Sequence, residues 1–413
     1  MRKLDAAVIL LTIAFVVSMV LPESWAGFLH VGAVPLGAFV FALLCFALTT
    51  QLLRKPAAVS HGLMGGLAAV TIITANGFLR GNVETFALKF FVADLFCFFA
   101  LLAGYALART LSWEHITQLL SRLTLALSFI IIATYVALIM GVVTSLFDIP
   151  GRTVTLSIFN AVGFLIVLLP WVTVSPHWGK TKDGLRNYLL FTTAVLTGLL
   201  SATRSLIIVI IVAACLYLVL KKKHFSTGFF LRSVFGASLL LLLLFSGFPL
   251  LSTFGLDRLS ETLIGEESRF EELNLMWSQI SNDLVAGQGI GSRFVSNVIA
   301  DESPLASAPH IGIATFLMKG GVLMFLGYAV APLAIAIFVL SSAARPERQR
   351  GAAASVIMFI AMSCLSGGYS PLPMFAYGFA MSFMIAREPA RAMARFGNMQ
   401  WARGIQPLQS RIS

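Results

Sequence analysis

At 413 residues, 58% hydrophobic and 11% charged, with a mean hydropathy of +0.90, the chain departs from soluble globular proteins, in which about a quarter of residues are charged. Its net charge of +11 comes from lysines and arginines in short loops between apolar runs. That is the pattern of topology determinants facing anionic membrane lipid, not of nucleic-acid binding. Composition therefore predicts an all-α, polytopic membrane protein, and the four cysteines, Cys45, Cys97, Cys215 and Cys364, lie in apolar runs at spacings that imply neither a disulfide framework nor a zinc site.

Arg2 and Lys3 precede an apolar run that ends at Leu21, Pro22 and Glu23 without a small-residue cleavage site. It reads as an uncleaved first span. Further spans are expected near 31–50, 61–76, 86–108, 123–147, 154–175, 187–202, 204–220, 232–251, 311–340, 352–368 and 373–386, the first running over 5–21. This makes about 12 transmembrane helices. The run 61–76 holds Gly62, Gly65 and Gly66 and is barely long enough to span. The run 311–340 would be about 45 Å long as one helix, so Gly320 and Gly321 are read as separating a short surface helix from the true span. Residues 1–251 thus carry spans one to nine, 252–309 one large extracytoplasmic loop, 310–386 the last three spans, and 387–413 a basic cytoplasmic tail with Trp401.

Placing both termini in the cytoplasm puts 21 of the 29 lysines and arginines on that side. The remaining eight are Arg80, Lys89, Arg152, Arg204, Arg258, Arg269, Arg293 and Lys319. Arg80, Lys89, Arg152 and Lys319 are read as snorkelling to lipid phosphates or pairing with loop carboxylates. Arg204 stands apart, in Ser201-Ala202-Thr203-Arg204 between two short spans with no acidic residue near in sequence. A guanidinium with hydroxyl neighbours at a membrane boundary suits an anionic headgroup.

The loop holds nine of the eighteen acidic residues. Ser268 and Glu271 have the spacing of a capping box, which predicts a helix starting at Ser268. Phe270, Leu273, Trp277 and Ile280 would form its packing face, with Trp277 a packing or interfacial residue. Arg269 would then occupy the first helical position, where a cation is disfavoured unless an anion uses both it and the free N–H groups. An ion pair with Glu266, Glu267 or Glu272 is the alternative. The run Gly287-Gln288-Gly289-Ile290-Gly291-Ser292-Arg293 lets a backbone approach something closely, although a plain flexible loop has the same composition. No strand-turn-helix unit surrounds it, so it is not a nucleotide fingerprint. His310, after Pro309, is placed in the opening turn of the next helix, where the helix N-terminus keeps an imidazole neutral, as a general base requires.

The order of these features is Ser-x-Thr-Arg between two spans, a large loop with Arg269 eight residues before Trp277, the alternating glycines, then His310 with Gly321 eleven residues on. Together they resemble the bacterial O-antigen ligase and O-antigen polymerase superfamily, polytopic inner-membrane glycosyltransferases with a GT-C-like fold. The family pattern has Asn where Ile311 stands and a second glycine where Met324 stands. The resemblance implies inverting transfer, without metal or cofactor, of an undecaprenyl diphosphate-linked glycan to an acceptor hydroxyl on the periplasmic side. Arg204 and Arg269 would grip the diphosphate, with Ser201, Thr203, Gly289, Gly291 and Arg293 beside donor or glycan, and His310 would be the general base. The acceptor would be lipid A-core for a ligase, or a second lipid-linked unit for a polymerase of O-antigen or exopolysaccharide. A secondary transporter is the reading from another class; it requires ionisable residues near mid-membrane, and Asp94 with Lys89 in the same segment comes nearest, although Asp94 could equally pair near a helix end.

Overall fold

A computed structural model describes residues 2–20, 30–31, 34–83, 88–140, 163–168, 170, 209, 212, 216, 266–295, 305–306, 311–342, 345–365 and 369–385. Their regular structure is helical apart from two antiparallel two-residue pairings, His30–Val31 with Val34–Pro35 and Phe294–Val295 with Leu305–Ala306, and turns and irregular backbone connect these elements. The helices are α1 (Arg2–Ser18), α2 (Leu36–Arg54), α3 (His61–Leu79), α4 (Leu88–Thr110), α5 (Trp113–Ile139), α6 (Glu266–Ile280), α7 (Ala314–Phe325), α8 (Ala331–Ser341), α9 (Glu347–Leu365) and α10 (Pro371–Ile385). A π-helical turn, Leu326–Val330, joins α7 to α8. Among the described residues, four stretches are long and apolar enough to cross a membrane: Leu36–Arg54, His61–Leu79, Phe90–Thr110 and Ala314–Ser341. The expected spans near 154–175, 187–202, 204–220 and 232–251 fall largely or wholly outside the described residues, as does the tail from 387.

Local chemistry sets several boundaries. Ser60 caps α3, its hydroxyl accepting from the Leu63 N–H at 3.3 Å. This helix runs to Leu79, three residues beyond the expected end, and so reaches spanning length despite its glycines. The fifth helix begins at Trp113, ten residues before the expected start, which moves Arg122 from a loop into a helix. In α6, Ser268 is not the cap. Glu266 and Glu267 already lie in the helix, as good helix formers favoured at its positive end.

The core is laid down by α4 and α10, the most extensively packed pair. Two glycines set their separation: a Cβ on Gly104 would run into the Phe375 carbonyl, and one on Gly378 into the Leu101 carbonyl. Small residues let spanning helices approach closely where apolar lipid offers no hydrophobic drive to association. Phe359 stacks on Tyr377 at 4.0 Å between ring centroids, and the Tyr377 hydroxyl donates to the Tyr328 carbonyl. At one end of this bundle Gln51 donates to Asp5 at 2.8 Å, and Lys55 donates to the last carbonyl of α4, Thr110, at 2.8 Å. The opposite end, where α3 finishes and α4 begins, receives the loop segment that follows α6.

Gly321 does break the 311–340 run, with φ 66° and ψ −165°. The part before it is not a surface helix, because Thr315, Phe316, Met318 and Lys319 are all buried. Lys319 likewise does not snorkel: its side chain has no exposure. The reason is a partner remote in sequence.

Candidate functional site: a polar strap on the membrane bundle

After α6 a 3-10 turn, Ser281–Asp283, leads into the glycine run, which crosses the end of the bundle as a strap. Its backbone polar groups are almost fully accounted for. The N–H groups of Gly287, Gln288, Gly289, Ile290 and Ser292 donate to the carbonyls of Asp283, Met318, Lys319, Ile73 and Gly289, at 2.8 to 3.4 Å. The Gly291 N–H donates to Asp94 Oδ2 at 2.8 Å. On the carbonyl side, the Asn76 amide donates to Ala286 and Gly287, the Asn82 amide to Gln288 and Ile290, and Lys319 Nζ to Ser292 at 2.6 Å. Non-helical backbone survives at the edge of a hydrocarbon layer only when paired in this way.

The glycines make the crossing possible. Gly287, Gly289 and Gly291 have φ of 67°, 81° and 79°, values at which a side chain is strained. A Cβ on Gly289 would collide with the backbone of Gly77, and one on Gly77 with that of Ile290. The break at Gly321 supplies acceptors. In an unbroken helix the Val322 N–H would bond to Met318; here it donates to Leu284 at 2.7 Å, and the Met318 carbonyl accepts from Gln288.

Two ion pairs fasten the strap. Lys319 Nζ meets Asp94 Oδ2 at 2.7 Å, with side-chain exposures of 0% and 2%. At the rim, Arg80 makes a two-pronged contact to Asp283, at 2.7 and 2.9 Å, the second of the two alternatives its sequence position left open. The Arg80 guanidinium holds the Asp283 carboxyl below the usual carboxylate range.

The strap carries α6 with it. Met276, Ile280, Phe294 and Met318 form a buried apolar cluster, and the Gln288 amide donates to the Gln279 carbonyl at 3.0 Å. Among the described side chains of α6 the packed ones are therefore Glu272, Leu273, Met276 and Ile280; Trp277 is 49% exposed and is not one of them. The rotation follows from the apolar contact with Met318, which engages Met276 in place of its neighbour.

Of the residues singled out from sequence, Arg269 lies in the first turn of α6 as its fourth residue. Gly289 and Gly291 are buried in the strap, their N–H groups bonded within the protein. Arg293 sets its guanidinium 5.9 Å from the ring centre of Phe90. Ser201, Thr203, Arg204 and His310 lie outside the described residues, and with them the expected approach of Arg204 and His310 to Arg269. Just after His310 in the sequence, the Ile313 N–H donates to the Ser363 carbonyl at 3.1 Å. Sequence reasoning missed Asn76, Asn82 and Lys319 as anchors; it weighed Asp94 for a transporter or for pairing near a helix end, and Asp94 is paired, with Lys319.

Beside the strap an apolar groove of about 840 Å³ runs between α3 and the α7–α8 segment. Gly62, Gly65 and Gly66 form part of its floor, Tyr105 and Tyr328 line it, and Asn76, Val285 and Ala286 close the strap end. In comparisons with known proteins, no family model and no curated protein matches the chain.

Proposed function

We infer that the chain is a bacterial inner-membrane glycosyltransferase of O-antigen ligase type, acting on the periplasmic side with about 12 spans and cytoplasmic termini. It moves a glycan from undecaprenyl diphosphate to a hydroxyl of lipid A-core. The supporting observation is the meeting of the apolar groove with the polar strap, since Val285 and Ala286 line the groove and Ala286 accepts from Asn76 at the strap. A polyprenyl diphosphate glycan is divided in the same way: a long apolar chain ends in a charged, hydrophilic head. Its isoprenoid chain would occupy the groove.

In this reading the acceptor oxygen attacks the anomeric carbon and the bond to the diphosphate breaks on the opposite face, which inverts configuration. The acceptor proton goes to His310, and Arg204 and Arg269 stabilise the charge gathering on the departing diphosphate. A polymerase of the same superfamily would run the same steps with a second lipid-linked unit as acceptor.

The test is reconstitution with a polyprenyl diphosphate glycan, offering lipid A-core or a second lipid-linked unit. Transfer to lipid A-core, abolished in Arg204→Ala and Arg269→Ala with membrane insertion intact, is the expected result. Retained activity in both variants would overturn the diphosphate clamp, and transfer only to the second unit would make the protein a polymerase.

A secondary transporter remains a second reading because one observation favours it: Asp94 and Lys319 form a buried pair within spanning helices. Both charges, however, are also spent on strap backbone, and neither lines the groove. A deletion strain that loses solute uptake without accumulating lipid-linked glycan would favour the transporter.

A further inference from the structure

Asp94 and Lys319 belong to none of the catalytic roles above, yet both are buried and both hydrogen-bond to the backbone of the loop. Asp94 accepts from both Lys319 and the Gly291 N–H, and Lys319 donates onward to the Ser292 carbonyl. Two residues later Phe294 enters the cluster with Met318, Met276 and Ile280. Met276 and Ile280 belong to the helix whose first turn holds Arg269. An unbroken series of hydrogen bonds and buried contacts thus joins the pair to that helix, with Met318 adjacent to Lys319 in the chain.

We propose that Asp94 and Lys319 are positioning residues, a buried latch that holds the strap on the bundle and thereby fixes α6 and Arg269 over the membrane surface. The effect on transfer rests on the transferase reading; the latch itself does not. Replacing a buried ion pair by apolar residues of similar volume is tolerated by packing, so a double substitution separates the latch from the fold. In Asp94→Leu/Lys319→Met the bundle keeps its volume while the Gly291 N–H and Ser292 carbonyl lose their partners.

The experiment is hydrogen exchange by mass spectrometry on full-length protein in nanodiscs, coupled to transfer kinetics. Peptides covering 284–295 should exchange about 10- to 100-fold faster in the double variant, while peptides from α4 and α10 keep wild-type protection. Asp94→Asn/Lys319→Met keeps an acceptor for the Gly291 N–H and should fall between the two; it also serves if the first variant does not insert. In both variants kcat should fall, by about 100-fold for the first, with the donor KM changed much less.

Strap exchange at the wild-type rate in variants that insert would overturn the latch. A released strap with wild-type kcat would overturn the positioning role and leave the transferase reading standing. A wild-type protein that transfers nothing would overturn the transferase reading and the positioning role together, while the exchange rates still decide the latch.

Discussion

Lys319 reaches Asp94 at 2.7 Å with almost no solvent at either side chain, and the two stand on different helices, α7 and α4. Their union ties the break in one helix to the start of the other. It also lets the Gly291 N–H and the Ser292 carbonyl, which water would otherwise satisfy, lie buried.

Removing one member leaves the other charge buried without its counter-ion. Lys319→Met and Asp94→Leu, made singly, are each expected to lose about 3–5 kcal/mol of stability. The double variant should lose less than their sum, with a coupling of about 2–3 kcal/mol in a double-mutant cycle. Denaturation in detergent micelles measures it. Additive losses would mean that the two charges do not act as a pair.

The glycines of α3 divide sharply by surroundings. A Cβ on Gly77 would enter the backbone of Ile290, whereas one on Gly65 would meet nothing within 4 Å. Gly77→Ala should push the strap away and cost about 1–3 kcal/mol. Gly65→Ala should be neutral or stabilise by up to about 1 kcal/mol through helix propensity. Thermal unfolding of the two variants side by side decides the point, and equal effects would contradict the close strap contact.

Much of this was legible in the chain. Apolar length alone located α2, α3 and α4, because a span must be continuous and mostly uncharged. Gly321 marked its own break, and of the two partners open to Arg80 in the sequence, a lipid phosphate or a loop carboxylate, it takes the carboxylate, Asp283. The strap was harder to read. Its glycines showed that a backbone comes close to something, but Asn76 and Asn82 hold it through side-chain amides that leave no periodic trace, and Lys319 looks like any basic residue near a span end. The start of α6 was misplaced because Ser268 carries a capping signal that the two preceding glutamates override.

Asp283 offers a pH-dependent readout outside the membrane. Its contact with Arg80 lowers the carboxyl's pKa in the folded protein below that of the unfolded chain, about 3.9. The stabilisation is therefore fully present above the ordinary carboxylate range and is lost as pH falls through the lowered value. Titration of a carbon-labelled Asp283 should give a midpoint below that of a free aspartate, and Arg80→Gln should raise it. High salt should weaken the contact in the same direction, because both groups face water. An unshifted midpoint in the wild type would mean that the two-pronged contact does not persist in solution.

Adjacent residues on α6 make opposing predictions about which side of that helix meets the strap. Met276 is 2% exposed and packs with Phe294 and Met318, while Trp277 is 49% exposed. Met276→Ala should remove buried apolar volume and cost about 2–5 kcal/mol of local stability, seen as faster hydrogen exchange in peptides from α6 and the strap together. Trp277→Ala should change stability by less than about 0.5 kcal/mol. The two outcomes would be exchanged if the face expected from sequence, with Trp277 inward, were the packed one. Because the sites are neighbours, helix propensity contributes little to the difference, and the comparison reports the rotation of α6 directly.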